Sequence, residues 1–171
     1  MHIRAESAEV FYPGEDPVMA GASDVEALKR SARMSSKKRA RLCTHFSPAD
    51  TLHEMLITLP RGAYVRPHKH VGKTESFTIL QGEADLVLFH EDGQVRQLIP
   101  MGALESKKPF YYRTTQEIYH TLIVRSEMVV FHEVTDGPFQ REQTIFPSWA
   151  PDGTDEQAAS NYNAQLQPAI R

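Results

Sequence analysis

A chain of 171 residues, 40% apolar and 24% charged, has the size and composition of one ordinary globular domain, and can bury a core without disulfides. Its net charge of −3 lacks the basic excess of a nucleic-acid-binding domain, and its one cysteine, Cys43, excludes an internal disulfide. No stretch reads as a secretory leader or reaches the roughly 20 apolar residues of a membrane span, so a reducing cytoplasm is the expected compartment.

Residues 1 to 22 read as irregular, broken by Pro13, Gly14 and Pro17. Ser23 and Glu26 have the spacing of a capping box, which predicts a helix from Asp24 to Met34 with Val25, Leu28 and Ala32 on one face. A basic run follows from Lys29 to Arg41, containing Arg30, Arg33, Lys37, Lys38 and Arg39 and no acid. It is either a solvated face or a landing site for a phosphorylated substrate.

From about Thr51 the apolar period changes to two. Strands are predicted at Leu52–Leu59, Ala63–His70, Glu75–Leu80, Ala84–His90, Val95–Ile99, Phe110–Thr114, Tyr119–Arg125 and Met128–Val134, punctuated by glycines and prolines. Eight short strands at this spacing predict an all-β sandwich or closed barrel rather than a parallel α/β sheet. The expected division is an extension over residues 1–50, a β-barrel over 51–138 and a tail over 139–171. The tail either wraps the barrel through Phe146 and Trp149 or stays disordered until covered.

The chemistry concentrates between Gly62 and Gly82. His68 and His70 are two apart, so on a strand their side chains emerge on one face. A turn at Gly72 then returns the chain, and an antiparallel neighbour can bring the Glu75 carboxylate opposite both imidazoles. Two nitrogens and an oxygen converging in this way suit a first-row transition metal. A His-Lys-His triplet alone is more often a solvated strand. Here the spacing is Gly, five residues, His, one, His, four, Glu, six, Gly. Five fixed residues at that spacing arise by chance in on the order of one chain in ten thousand. A fourth ligand is sought on a later strand, where His120 is the first candidate and His132 its rival.

That spacing resembles the first sequence motif of the cupin superfamily, and His120 resembles the histidine of its second. Around His120 the chain has Pro109, Thr115, Glu117 and Val124 where the pattern has glycine, proline, glycine and asparagine. The chain is further similar to the small cupin-fold metalloproteins of the WbuC type. The residues carrying that similarity are Arg39-Ala40-Arg41 with His45, Tyr64 to His70, Tyr119-His120-Thr121, Glu133, Gly137-Pro138-Phe139, Phe146 and Trp149-Ala150-Pro151. Cys43 stands where an asparagine is expected. The resemblance implies a single cupin (jelly-roll) β-barrel with a short N-terminal helix and an extended C-terminal tail. It also implies one divalent metal held by His68, His70, Glu75 and His120.

Strand parity with His68 places Tyr64 and Arg66 on the inward face, and His45 and Arg41 complete the expected substrate pocket. A buried arginine needs an anion, from the protein or from a ligand. Tyr64 and His45 are the candidates to move a proton. Three histidines and a glutamate leave open positions on an octahedral ion, and suit Zn, Fe, Mn, Ni or Co equally. The first functional expectation is a metal-dependent isomerase or epimerase acting on a sugar or sugar nucleotide of surface-polysaccharide metabolism. An Fe(II)-dependent dioxygenase is the second, and a non-catalytic sensor of a small anionic or sugar-like molecule the third. Exposed edge strands lead us to expect a homodimer.

Overall fold

The computed structural model describes residues 2–166. In chain order its elements are β1 (Ile3–Ala5), β2 (Val10–Pro13), α1 (Ala22–Met34), β3 (Ala40–Cys43), β4 (Leu52–Pro60), β5 (Lys69–His70), β6 (Glu75–Gln81) and β7 (Glu83–Phe89). They continue with β8 (Val95–Gly102), β9 (Tyr111–Thr114), β10 (Tyr119–Val124), β11 (Met128–Asp136), β12 (Thr144–Ile145) and α2 (Glu156–Leu166). The fold is mostly β-sheet with two helices. Among the described residues no helix is long and apolar enough to cross a membrane.

A seven-stranded sheet in the order β1-β2-β3-β4-β11-β6-β9 faces a three-stranded sheet in the order β10-β7-β8. β5 and β12 form a separate two-stranded ribbon. Among the described residues no strand ladder closes the two large sheets into a barrel, and one isolated bridge between His68 and His120 links the ribbon's chain to β10.

Parity explains what lies between the sheets. Phe77 and Ile79 of β6, Phe131 of β11 and Leu59 of β4 meet Ala84, Leu86 and Leu88 of β7 and Leu122 and Val124 of β10 in one core. The odd-numbered residues of β7 and β10 point the other way. Val87, Phe89, Tyr119 and Ile123 pack under Trp149, Tyr162 and Leu166 of the C-terminal segment. Both strands are therefore buried on both faces, and so read as continuous apolar runs.

The N-terminal half departs from expectation. Residues 1 to 22 contain β1 and β2, and β2 runs parallel to β3, which pairs with β4 across the expected boundary at residue 50. β1, β2 and β3 are three or four residues long, too short for alternation to register. α1 begins two residues before its predicted start: the Gly21 amide donates to the Asp24 carboxylate (2.8 Å), so Gly21 and Asp24 form the cap in place of Ser23 and Glu26. Leu28 and Ala32 face Ala40, Leu42 and Leu56 as the period requires. The basic run is largely paired: Lys29 with Glu26 (2.7 Å), Arg33 with Glu127 (2.9 Å), and Lys37 and Arg39 with Glu9 (3.8 and 3.0 Å).

The predicted strand Ala63–His70 is largely unpaired: Lys69 and His70 form a ladder, and His68 makes a single bridge to His120. Pro67 has no amide to give, and proline interrupts a sheet interior for that reason. The C-terminal segment is not an extended tail throughout. It wraps the sheets and ends in α2, capped by Asp155, whose carboxylate accepts the Ala158 amide (3.0 Å). The last five residues of the expected tail, 167–171, lie outside the described residues.

The glycines that bracket the motif have steric causes. Gly62 and Gly82 both sit at positive φ, +81° and +80°. A methyl group on Gly82 would also lie 2.1 Å from the Met128 carbonyl oxygen, whereas at Gly62 the nearest atom is 4.0 Å away. Gly62→Ala is expected to cost about 1–2 kcal/mol of left-handed strain. Gly82→Ala must in addition break the β6–β7 turn away from β11, and should cost clearly more. Urea denaturation of both variants checks the ranking, and equal losses would refute it.

Candidate metal centre

His68, His70, Glu75 and His120 converge: one possible ligand atom from each lies within 4.8 Å of the others, an arrangement that could hold a metal ion. They come from four places in the fold. Glu75 opens β6 and shares the inward face of Phe77 and Ile79. His120, on β10, shares the inward face of Leu122 and Val124, so it reaches the same space from the opposite sheet. His68 is held beside His120 by reciprocal backbone hydrogen bonds of 3.1 and 2.9 Å. His70 lies two residues on, in β5. Between the two histidines Lys69 turns outward, to Glu91 (2.7 Å) and over the Tyr119 ring (4.6 Å).

Each imidazole is tied down on its Nδ1 side. His68 Nδ1 lies 2.8 Å from the Arg66 carbonyl, His120 Nδ1 3.0 Å from the Ile118 carbonyl, and His70 Nδ1 3.3 Å from the Thr144 hydroxyl. An Nδ1–H donated to a fixed oxygen leaves the Nε2 lone pair for the centre, as at metal-binding histidines generally. The carboxylate answers from the other side. Glu75 Oε2 lies 3.0 Å from His120 Nε2, and Oε1 lies 3.6 Å from His70 Nε2. Yet Oε2 is buried and makes no hydrogen bond of acceptable geometry. A buried carboxylate is costly unless its charge is paired; in metal-free protein His120 is its close partner, and a cation among the three Nε2 atoms would take that place. The donor set fits a divalent transition ion.

The turn that sets Glu75 against the histidines is anchored on three sides. Gly72 N–H donates to Glu117 (3.1 Å), Thr74 N–H to Asp136 (2.7 Å) and Val71 N–H to the Gln143 carbonyl (2.8 Å). Glu117 thereby ties this turn to the segment that leads into β10.

Charge inside the cluster is strongly coupled. Burial and the neighbouring His120 push the His68 imidazole down to about 3, so it is neutral and available. Burial opposes the charge on Glu75, but His120 and His70 hold its carboxyl well below the usual range. Burial likewise opposes the charge on His120, but Glu75 holds its ring above the ordinary 6.5. In metal-free protein His120 therefore keeps its proton to higher pH than a free histidine, and an incoming cation must displace it. Metal affinity is expected to rise with pH through the neutral range, with about one proton released per ion. Calorimetry in buffers of different ionisation enthalpy reads that proton directly. A pH-independent affinity would contradict the assignment.

The other expected pocket residues separate into three groups. The parity argument for Tyr64 and Arg66 loses its basis, because residues 63–68 are not a paired strand. The Tyr64 hydroxyl donates to the Pro151 carbonyl (2.7 Å), the ring packs edge-on to Tyr162, and burial pushes its pKa up to about 12. This hydroxyl is committed to the C-terminal segment. Arg66 has no carboxylate at ion-pair distance among the described residues. Its Nη2 donates to the Pro147 carbonyl (3.3 Å), its guanidinium lies over the Phe146 ring (4.7 Å), and its Nε is buried without a partner. Phe146 in turn lies 6.1 Å from the His68 ring, so Arg66 reaches the edge of the centre through Phe146. Arg41 stands opposite Ile57 and so shares the inward face of Phe131 and Glu133, toward the β3 side of the large sheet. Its charge opposes the rise in the Glu133 pKa, and His45 packs beside it against Tyr12 and His53. His45 is buried, stacked on His53 (4.0 Å), and its Nδ1 lies 3.1 Å from the Glu54 carbonyl. Arg41 is exposed on β3.

The rival His132 stands opposite Thr78 of β6 and Leu56 of β4, on the face away from Glu75, with its Nε2 3.7 Å from Glu54. Three further residues lie near the centre: Glu133 and Phe146, which the WbuC resemblance includes, and Thr144, which it does not. Glu133 shares the inward face of Phe131 and stands opposite Phe77, and burial and Glu75 push its carboxyl up to about 8. Period two along β11 would have placed it inward. Thr144 and Phe146 are brought in from more than 70 residues beyond His70, where no local pattern could place them.

A family model described as a domain of unknown function (DUF6016) matches residues 21–101, a span that contains His68, His70 and Glu75 and stops short of His120. Among curated proteins nothing matches the chain. Solved structures with partial similarity include an oxalate decarboxylase variant from Bacillus subtilis, at 19% identity and TM-score 0.49, covering 63% of this chain and 27% of that one. The Lactobacillus farciminis oxalate decarboxylase formate complex is similar at 17% identity and TM-score 0.45, covering 57% and 27%. Procruciferin, an 11S globulin from Brassica napus, is similar at 14% identity and TM-score 0.43, covering 52% and 21%. The chain thus spans about a quarter of the length of these structures. At these levels the similarity assigns neither substrate nor reaction.

Proposed function

We propose that this protein is a cupin-type metalloprotein that holds one divalent ion through His68, His70, Glu75 and His120 and acts on a small anionic sugar or sugar nucleotide by isomerisation or epimerisation. One observation carries the metal: three imidazoles anchored at Nδ1 face a buried carboxylate oxygen that has no hydrogen bond. When bound, such an ion supplies Lewis acidity to a substrate carbonyl or hydroxyl. The protein's own groups do the rest. In this reading Arg66, which lies over Phe146 and has no carboxylate at ion-pair distance among the described residues, holds an anionic group of the substrate. Glu133, a carboxyl on the inward face whose proton affinity burial raises, is better suited to moving a proton than the committed Tyr64 hydroxyl. The sugar class rests on the similarity to WbuC-type proteins.

The test is Mn2+-loaded protein incubated with sugar nucleotides in D2O, following exchange of carbon-bound hydrogen. Exchange that Arg66→Ala slows supports the proposal. No exchange with any sugar nucleotide, together with iron as the ion that co-purifies, would replace it by oxygen chemistry.

The same proposal has the protein working as a homodimer, since β1 and β9 leave unpaired edges at the two ends of the large sheet. A single-chain mass by light scattering at high micromolar concentration would remove that part.

A further inference from the structure

The three histidines of the centre are not anchored alike. His68 and His120 each bond a backbone carbonyl two residues earlier in their own segment, Arg66 and Ile118. Those acceptors exist whatever side chains are present. His70 alone depends on a side chain, and that side chain comes from a distant part of the chain: the Thr144 hydroxyl, 3.3 Å from His70 Nδ1. Thr144 sits opposite His70 in the two-residue ladder of β12 with β5, and the Val71 amide bonds the Gln143 carbonyl (2.8 Å) beside it. The same strap then passes Phe146 along His68 and under Arg66, before Trp149 docks on Phe89 and Tyr119.

We propose that Thr144 is a positioning residue for the metal centre, and that through it the strap from Phe139 to Trp149 and the ion stabilise one another. The proposal rests on the reading of His70 as a ligand. A hydroxyl accepting from Nδ1–H selects the tautomer whose Nε2 lone pair faces Glu75, and fixes the ring plane. Partners of this kind are worth 10- to 100-fold in metal affinity at other sites. The ladder that carries Thr144 is only two residues long, and the Val71–Gln143 bond beside it is its nearest support. Linkage then runs both ways: whatever the strap contributes to ion binding, the ion returns to the strap's order.

The experiment compares wild type, Thr144→Val, Thr144→Ser and His68→Ala, using Zn2+ competed against a chromogenic chelator. Thr144→Val keeps shape and loses the hydroxyl, and is expected to bind Zn2+ about 10- to 100-fold more weakly, with Thr144→Ser close to wild type. Metal-free Thr144→Val should melt where the metal-free wild type melts, which separates positioning from folding. In Co2+-loaded protein its visible absorption should shift, because the ligand field at one imidazole has changed. Zn2+ should slow hydrogen exchange at the Val71 amide in wild type, and less in Thr144→Val. Wild-type Zn2+ affinity in Thr144→Val, with His68→Ala still losing the ion, overturns the role of Thr144 alone. Retention of Zn2+ by His68→Ala overturns the metal centre, and this proposal with it.

Discussion

Alanine at His68 or at His70 is expected to leave the protein folded and without a stoichiometric metal ion. Structural zinc binding runs to about 10–16 kcal/mol at neutral pH. One of four ligands therefore accounts for roughly 3 kcal/mol, on the order of 100-fold in Kd. The loss should be at least that large here, because Glu75 would face a centre with one fewer imidazole and its buried Oε2 no better satisfied. Neither histidine belongs to the apolar core, so the melting temperature of the metal-free variants should move little. If either variant holds one ion per chain at wild-type affinity, the ligand set is wrong.

The second large effect separates two histidines that pattern alone could not. His120→Ala is expected to weaken metal binding as severely as His68→Ala. His132→Ala should leave it within a factor of two or so, since partly exposed pairs such as His132 with Glu54 contribute little. The physical reason is the pleat. His120 shares its face with Leu122 and Val124, which meet the core, whereas His132 lies one residue out of phase with Phe131 and Glu133 and points away from Glu75. Metal titrations of the two single variants decide it. The reverse ranking would relocate the centre to the outer face of the large sheet.

How far the sequence reached follows from what each signal depends on. β6 alternates because one face is covered and the other more open, whereas β11 opens with four residues buried in succession and is legible as an apolar strand. β7 and β10 were found as apolar runs, although the reason, a C-terminal segment packed behind them, was not visible. α2 went unrecognised because its contacts to the sheets come from small or polar residues such as Ala159, Tyr162 and Asn163, which make a weak apolar face. The strand predicted at Ala63–His70 was overextended, because an apolar–polar alternation through Val65 and Pro67 carries no information about missing amides. Within the centre, His68, His70 and Glu75 were legible because they lie within eight residues and their geometry is local. His120 needed strand parity as well. Thr144 and Phe146 depend on which distant segments become neighbours, which no single-sequence pattern encodes, whereas Glu133 follows from period two along β11 once that strand is assigned.

The account stands or falls on whether the centre holds an ion. The most direct measurement is elemental analysis of wild-type protein and Glu75→Gln, both purified without a chelating column. Glu75→Gln removes the charge of the one carboxylate and keeps its shape. The account predicts close to one equivalent of a single divalent transition metal per wild-type chain, and a small fraction of that in Glu75→Gln. A wild-type protein that is metal-free and cannot be loaded with Zn2+, Mn2+ or Fe2+, or equal metal content in the two proteins, would contradict it.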